Sequence, residues 1–379
     1  MGIFLQKLLV RMLPAILLAG GAAQASASPA ENAYLIRNVR IFDGRSEQVQ
    51  SGEVLVLGSR ILAVSRLEIT PPEGVTPTVI DGGGRLLMPG FIDAHVHMTA
   101  VMIPADMQDN DPAYVAALEI KGARAALLRG FTTQRDTGGA VAGLKKAIDE
   151  GVMVGPRVYP SEAVISQTSG HGDDRHFRDL HPRWGGNLSF DERRGDAVIA
   201  DGVPEVLAAA REQLRHGAVQ IKVMASGGAS SEFDPLYVTE YTPEELRAAV
   251  EVASSFGTYV TVHSYNSAST RRAIEAGVRC IEHGHLIDEP TMKLFTLRAR
   301  WFTPLEIMRQ ATSGNAELLA MSGIRNPYPG KLGVIEPGAY ADLLLVNGDP
   351  FADISILEHP DSALALIMKD GRIYKDLDH

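Results

Sequence analysis

A single cysteine among 379 residues rules out a disulfide within the chain. Cys280 lies inside an apolar, strand-like run and reads as a small core residue rather than a nucleophile. Basic residues are in deficit: 36 Lys and Arg stand against 46 Asp and Glu, a formal charge of −10. That balance gives no electrostatic footprint for a nucleic-acid partner. Long apolar runs are also lacking. The stretch 12–19 is interrupted by Pro14 and is too short to span a bilayer. No membrane association is therefore expected once a leader has been removed. What remains is ordinary for a folded globular chain, 45% hydrophobic and 22% charged. Its length suits one large domain with an appendage, or two to three small domains.

The leader has its own pattern. Lys7 and Arg11 precede the short apolar stretch, Ala23-Gln24-Ala25 fits a small-residue cleavage site, and residues 26–30 are loop-like. Residues 1–25 are expected to be a secretory signal peptide, which makes the mature chain periplasmic or secreted. After it, short apolar runs at 34–36, 39–42, 53–56 and 60–64 alternate with turn signals at Asp43-Gly44 and Gly58-Ser59. The far end has the same texture, with runs at 341–346 and 364–369 and a hairpin signal at Asp370-Gly371. We expect residues 33–87 and 327–376 to form one small composite β-sandwich domain, since chain ends often lie together. It would enclose a middle, 88–326, of different character.

That middle alternates helical and strand patterns. Helices are expected at 114–128, 141–151, 203–216 and 269–277, and another starts at the capping box Thr242-Pro243-Glu244-Glu245. Apolar strands are expected at 130–133, 156–160, 219–223, 259–263 and 279–283. Such repetition means βαβ units and a parallel sheet, open or closed. Polar groups recur where the apolar runs end. His95 and His97 close the run at 88–98, Asp136 follows the second strand, Lys222 lies on the fourth, and His263 and His283 end the next two. In a strand, i and i+2 face the same way, so His95 and His97 aim at one space. Histidines converging on one end of a parallel sheet make a site for Zn²⁺ or a related divalent ion. A lysine on an apolar strand must be paired, snorkel, lose its proton or be modified, because burying a bare ammonium is costly. A deprotonated amine that takes up CO₂ becomes a carbamate, an oxygen ligand able to bridge two metals.

The chain resembles the amidohydrolase superfamily, in particular its imidazolonepropionase-like and prolidase-like members. The stretches that carry the resemblance are MPGFIDAHVH at 88–97, GFTTQRDTGG at 130–139, SQTSGHGD at 166–173, IKVMASGG at 221–228, TVHSY at 261–265, IEHGH at 281–285, residues 302–315, and KLGVIEPGAYAD at 331–342. The resemblance implies an α/β fold, a (β/α)₈ TIM-type barrel with a terminal β-sandwich, and a centre of one or two divalent metal ions. Zn is the expected ion, with Fe²⁺ and Mn²⁺ left open. It further implies that His95 and His97 bind one metal, that carboxylated Lys222 bridges, and that His263 and His283 bind the second. His283 is preferred to His285 because it holds the family's ligand position. His171 and Tyr265 would contact substrate. The metals would lower the pKa of a bridging water and polarise the scissile carbonyl of a small-molecule or dipeptide-like amide, such as an Xaa-Pro or N-acyl amino-acid substrate. A homo-oligomer is compatible with this reading.

One expected part is missing. The family uses an aspartate at the end of strand 8, which binds metal and moves a proton from water to the leaving amine. After His283 comes one expected helix, 289–297, with Asp288 as its cap, and a second capped helix begins at Thr303-Pro304-Leu305-Glu306. Residues 297–302 alone lie between, and they contain no aspartate; the next is Asp342. Strands 7 and 8 have no room, and the barrel is expected to be incomplete through an internal deletion. Two functional readings follow: a metal-dependent amide hydrolase whose activity is impaired or lost, and a non-catalytic metal- or ligand-binding remnant. A dehydratase or isomerase on the same metal site is a third, since fold does not fix function.

Overall fold

The computed structural model describes residues 32–229, 231, 233–286 and 303–378. The expected signal peptide, the helix at 289–297 and the segment 297–302 lie outside the described residues. The chain begins with β1 (Ala33–Ile41), β2 (Gln50–Leu57), β3 (Arg60–Ser65), β4 (Thr78–Asp81) and β5 (Leu86–Pro89). β1 pairs antiparallel with β2 along one edge. Along its other edge it pairs in parallel, first with β4 and then with β5. The sequence suggested two runs where the structure has one strand. Asn38 takes a left-handed conformation, φ +53°, at a register shift between Ile36 and Val39, and asparagine tolerates that geometry better than most residues.

The middle supplies parallel strands. β6 (Phe91–Val96), β7 (Phe131–Asp136) and β8 (Arg157–Tyr159) form a three-stranded sheet in that order. β9 (Val164–Ser166), β10 (Ala197–Ile199), β11 (Ile221–Met224), β12 (Val260–Asn266) and β13 (Cys280–Leu286) form a five-stranded sheet in the order β10-β9-β11-β12-β13. Gln220 ties the two sheets together, its side-chain amide donating to the carbonyls of Asp136 and Tyr159. β9 and β10 escaped the sequence reading; β8, equally short, was marked by the helical pattern that precedes it. The helices Val203–His216 and Pro243–Ser255 pack on the outer face of this sheet. Thr242 and Glu245 form the expected capping box at the start of the second.

Strand alternation sorts the residues. Ile221 and Val223 of β11, and Val260 and Val262 of β12, pack with the helical alanines 209, 210, 249 and 253. Each fully buried aliphatic of this size contributes roughly 1.5–3 kcal/mol. By the same alternation Lys222, Thr261 and His263 face the opposite side, the interior. No described helix is long and apolar enough to cross a membrane.

The chain ends return to the first sheet. β14 (Leu343–Val346), β15 (Leu364–Lys369) and β16 (Arg372–Asp376) extend it antiparallel from β5, giving the order β16-β15-β14-β5-β1-β2-β3 with β4 beside β1. The expected hairpin is present: Asp370 and Gly371 both have positive φ, +53° and +66°, as a two-residue turn of this kind requires. The passage from terminal sheet to parallel strands occurs at Gly90, whose N–H donates to the carbonyl of Asp342. A Cβ at Gly90 would sit 2.2 Å from Thr132 Oγ1, so only glycine fits there. The other flank of β6 meets the segment that follows Thr303. Asn315 at the start of the helix Asn315–Ala320 donates through its amide to the carbonyl of Ile92.

Candidate metal centre

The ends of β6, β12 and β13 bring their histidines together. The rings of His95 and His97 lie 5.3 Å apart, His95 and His283 5.0 Å, and His263 and His283 4.6 Å. His171, from the loop after β9, stacks on His263 at 4.1 Å. Tyr265 lies 4.9 Å from His263 and 4.8 Å from His283. The expected residues are thus one cluster. His285 stands outside it, exposed, 6.1 Å from His283 and beside Tyr265.

His283 reaches the cluster by leaving the strand pattern. Alternation puts Cys280 and Glu282 on the inner face and would turn His283 outward. Its backbone instead adopts φ +72°. A left-handed non-glycine residue is strained and marks a functional position more often than chance allows. Gly138 does similar work beside His97. It has φ +147°, and a Cβ there would meet Val164 Cγ1 at 2.4 Å, so the backbone carbonyl can come close to the imidazole.

Four of the rings, those of His95, His97, His171 and His263, are held by one nitrogen. His97 Nδ1–H donates to the carbonyl of Gly138 at 2.8 Å. His95 Nδ1 lies 2.7 Å from the Glu282 carboxylate. His171 Nδ1 is shared between Ser231 Oγ at 2.7 Å and Asp234 at 3.1 Å. In these three Nδ1 is the engaged nitrogen, which leaves Nε2 for another partner. His263 is reversed, its Nε2 facing the carbonyl of Gly227 at 3.3 Å, which leaves the lone pair on Nδ1. Burial, aided by the nearby Lys222 charge, pushes the pKa of His97 and of His283 down to about 4. Burial and the neighbouring His171 bring His263 to about 2. Neutral imidazoles with an oriented second nitrogen are what a metal ion requires of its ligands.

Lys222 is 1% exposed, and its charge is felt at His97, His171, His263 and His283. Burial brings its pKa down to about 8, against the pull of Glu282. Among the described residues no carboxylate comes within ion-pair distance of its amine, so neither snorkelling nor a salt bridge accounts for its place in the interior. The donor set therefore fits a divalent cation, and a buried, poorly compensated amine fits conversion to a carbamate. As the side chains stand, no three His, Cys, Asp or Glu groups among the described residues are gathered closely enough to hold an ion; Lys222 would have to contribute.

Several groups were not anticipated. Glu282 joins His95 to Arg135, whose Nη2 lies 2.6 Å from the carboxylate and whose Nε donates to the carbonyl of Ala94. Burial would raise the pKa of Glu282, but the His95 hydrogen bond and the Arg135 charge together hold it well below the usual carboxylate range. Asp136, expected beyond its strand, is the last residue of β7 and fully buried. It accepts from the backbone N–H groups of Met98 and Gly138, and burial raises its pKa to about 7. Asp234 and Glu240 hold His171. An acid inside the apolar run Cys280-Ile281-Glu282 was the one available signal. Asp234 and Glu240 lie in a loop with no periodicity to mark them. Asp342, the next aspartate after Asp288, is engaged elsewhere, in a buried ion pair with Arg157.

Residues 86–294 match the amidohydrolase family. An ochratoxinase of Aspergillus niger is 38% identical over 261 residues, 63% of this chain and 52% of the relative. In sequence, the chain spans about half the length of the curated relatives that head its matches. Among solved structures, an amidohydrolase superposes with a TM-score of 0.80 at 32% identity, covering 91% of this chain and 99% of its own. A prolidase crystallised with N-methylphosphonate-L-proline superposes with a TM-score of 0.80 at 29% identity, covering 91% and 100%.

Proposed function

For a chain that belongs to the amidohydrolase family as a prolidase-like member, we propose metal-dependent hydrolysis of an amide or peptide-like C–N bond in a small molecule or dipeptide, at a rate limited by a missing carboxylate. The observation that carries this reading is the gathering of His95, His97, His263 and His283 around buried Lys222. His95 and His97 would hold one divalent ion, Zn²⁺ being the expected one. His263 and His283 would hold a second, with Lys222, carboxylated, between them. The metal supplies a lowered water pKa and Lewis acidity toward the scissile carbonyl. His171, fixed through Nδ1 by Asp234 and Ser231, is left with Nε2 to hydrogen-bond substrate, and Tyr265 lies 4.9 Å from His263, the ring on which His171 stacks. Residues 1–25 would direct export.

The proton from water has no dedicated carrier. Residues 297–302 contain no aspartate, and Asp342 is tied to Arg157. On the expectation that strands 7 and 8 are absent, the barrel is incomplete and the leaving amine is protonated by solvent. The same observation favours a second reading, a metal- or ligand-binding remnant without turnover. Purified protein is to be assayed for metal content by mass spectrometry and for hydrolysis of a panel of Xaa-Pro dipeptides and N-acyl amino acids. A version with strands 7 and 8 restored serves as the reference. Bound metal with slow turnover, raised in the restored version, supports the first reading. Bound metal without turnover supports the second. Equal turnover per metal in both versions overturns the role given to the missing carboxylate.

A further inference from the structure

Glu282 occupies an unusual position among the charged groups of the interior. It is 6% exposed and lies on β13, yet its two oxygens serve different strands. Oε2 meets His95 Nδ1 of β6 at 2.7 Å. Oε1 accepts from Arg135 Nη2 of β7 at 2.6 Å and from Thr261 Oγ1 of β12, and Cys280 Sγ lies 3.2 Å away. Arg135 is itself pinned, donating to the carbonyl of Ala94 and to Tyr259 OH at 3.2 Å. The carboxylate therefore cannot rotate without giving up several charge-assisted bonds, which are the strong ones.

This chain of contacts reaches across the interior. Among the described residues, β6 and β13 share no backbone pairing: β6 pairs with β7 and β13 with β12. His95 and Glu282, 187 residues apart, connect the two strands through side chains. A histidine on a strand end has free rotation about χ2 and a choice of tautomer unless its other nitrogen is engaged. His97 is fixed by the Gly138 carbonyl; for His95 the fixing group is Glu282.

We propose that Glu282 is a positioning residue that, braced by Arg135 and Thr261, holds His95 as the Nδ1–H tautomer and aims its Nε2 at the metal. Both of its oxygens are engaged by side chains, so the carboxylate would act through His95. Its negative charge makes the imidazole a better donor of its lone pair, and its fixed place sets the plane of the ring. Partners of this kind are worth about 10–100-fold in metal affinity.

The inference rests on the proposed metal site for one of its readouts only. The other, the tautomer of His95, is read in metal-free protein by long-range ¹H–¹⁵N NMR, with His95→Gln giving the assignment. Zn²⁺ affinity is read by chelator competition on the full chain. Two variants are used: Glu282→Gln, which removes the charge at constant shape, and the double variant Arg135→Met with Glu282→Leu, which removes both charges so that neither is left buried and alone. The wild type is expected to show a single Nδ1–H tautomer at His95. Both variants are expected to show mixed tautomers and Zn²⁺ affinity lower by about 10–100-fold. Should Glu282→Gln fail to fold, the double variant decides. A folded variant that keeps the wild-type tautomer, with Zn²⁺ affinity within about threefold of wild type, overturns the proposal. If the wild type binds no Zn²⁺, the metal reading fails, and the tautomer shift alone decides the role of Glu282.

Discussion

Two arginines are buried to nearly the same depth, and each is matched with carboxylates, yet they do different work. Arg157, 2% exposed on β8, pairs with Asp342 and Asp370 and lies 4.0 Å over the ring of Tyr340. The second oxygen of Asp342 accepts the N–H of Asp370 at 2.9 Å. Both acids flank strands of the terminal sheet, so this pair fastens the start of a parallel strand to that sheet and leaves no oxygen of Asp342 free for other use. Arg135, 1% exposed on β7, spends one oxygen of Glu282 and leaves the other for a histidine. The same ion-pair chemistry gives cohesion in the first place and orientation in the second. A buried pair is weak evidence for stability by itself; what its remaining atoms touch shows what it is for.

The comparison breaks most visibly at Arg157. Arg157→Met leaves Asp342 without its cation, while Asp370 keeps Lys369 at 2.9 Å, and is expected to cost about 3–5 kcal/mol in denaturant unfolding. The metal bound per folded molecule should not change, and a fall in that ratio would contradict the division of labour. Glu282→Gln leaves Arg135 buried without its carboxylate and so also costs stability; what sets it apart is a Zn²⁺ affinity lower by about 10–100-fold per folded molecule. Gly138→Ala is the next effect in size. The strained φ and the contact with Val164 together predict a loss of about 1–3 kcal/mol, checked by thermal melting, and a displaced His97.

A last effect concerns pH. Burial, with the Asp234 charge, raises the pKa of Glu240 to about 8. The folded state therefore keeps a proton that the unfolded state releases near the ordinary value, about 4.5. Between those values the folded state binds more protons, so stability falls as pH rises from about 4.5 to about 8. Glu240→Gln, which cannot ionise, should flatten that slope in a series of urea titrations; an unchanged slope would place its origin in other groups.

Much of this was legible in the sequence because it depends on short-range rules. Helix caps at Thr242 and Thr303, the Asp370-Gly371 hairpin and the placement of His95, His97, Lys222 and His263 follow from periodicity, turn chemistry and alternation. The α/β alternation of the middle and the return of the C-terminal strands to the first sheet follow similarly. The features that escaped are not local. Glu282 meets His95 across 187 positions, and Arg157 meets Asp342 across 185; no spacing rule connects such partners. His283 escapes for another reason: strand alternation alone would face it outward, and only its left-handed backbone returns it to the cluster. The family resemblance, not periodicity, had marked it.

On the function proposed, the histidines around Lys222 form a working metal site. Native mass spectrometry of the purified, folded chain after incubation with Zn²⁺, and again with His95→Ala and His263→Ala, tests it most directly. One or two bound ions in the wild type, with fewer in each variant, is the predicted result. A folded wild type that holds no ion, or variants that hold as many as it does, would contradict the account.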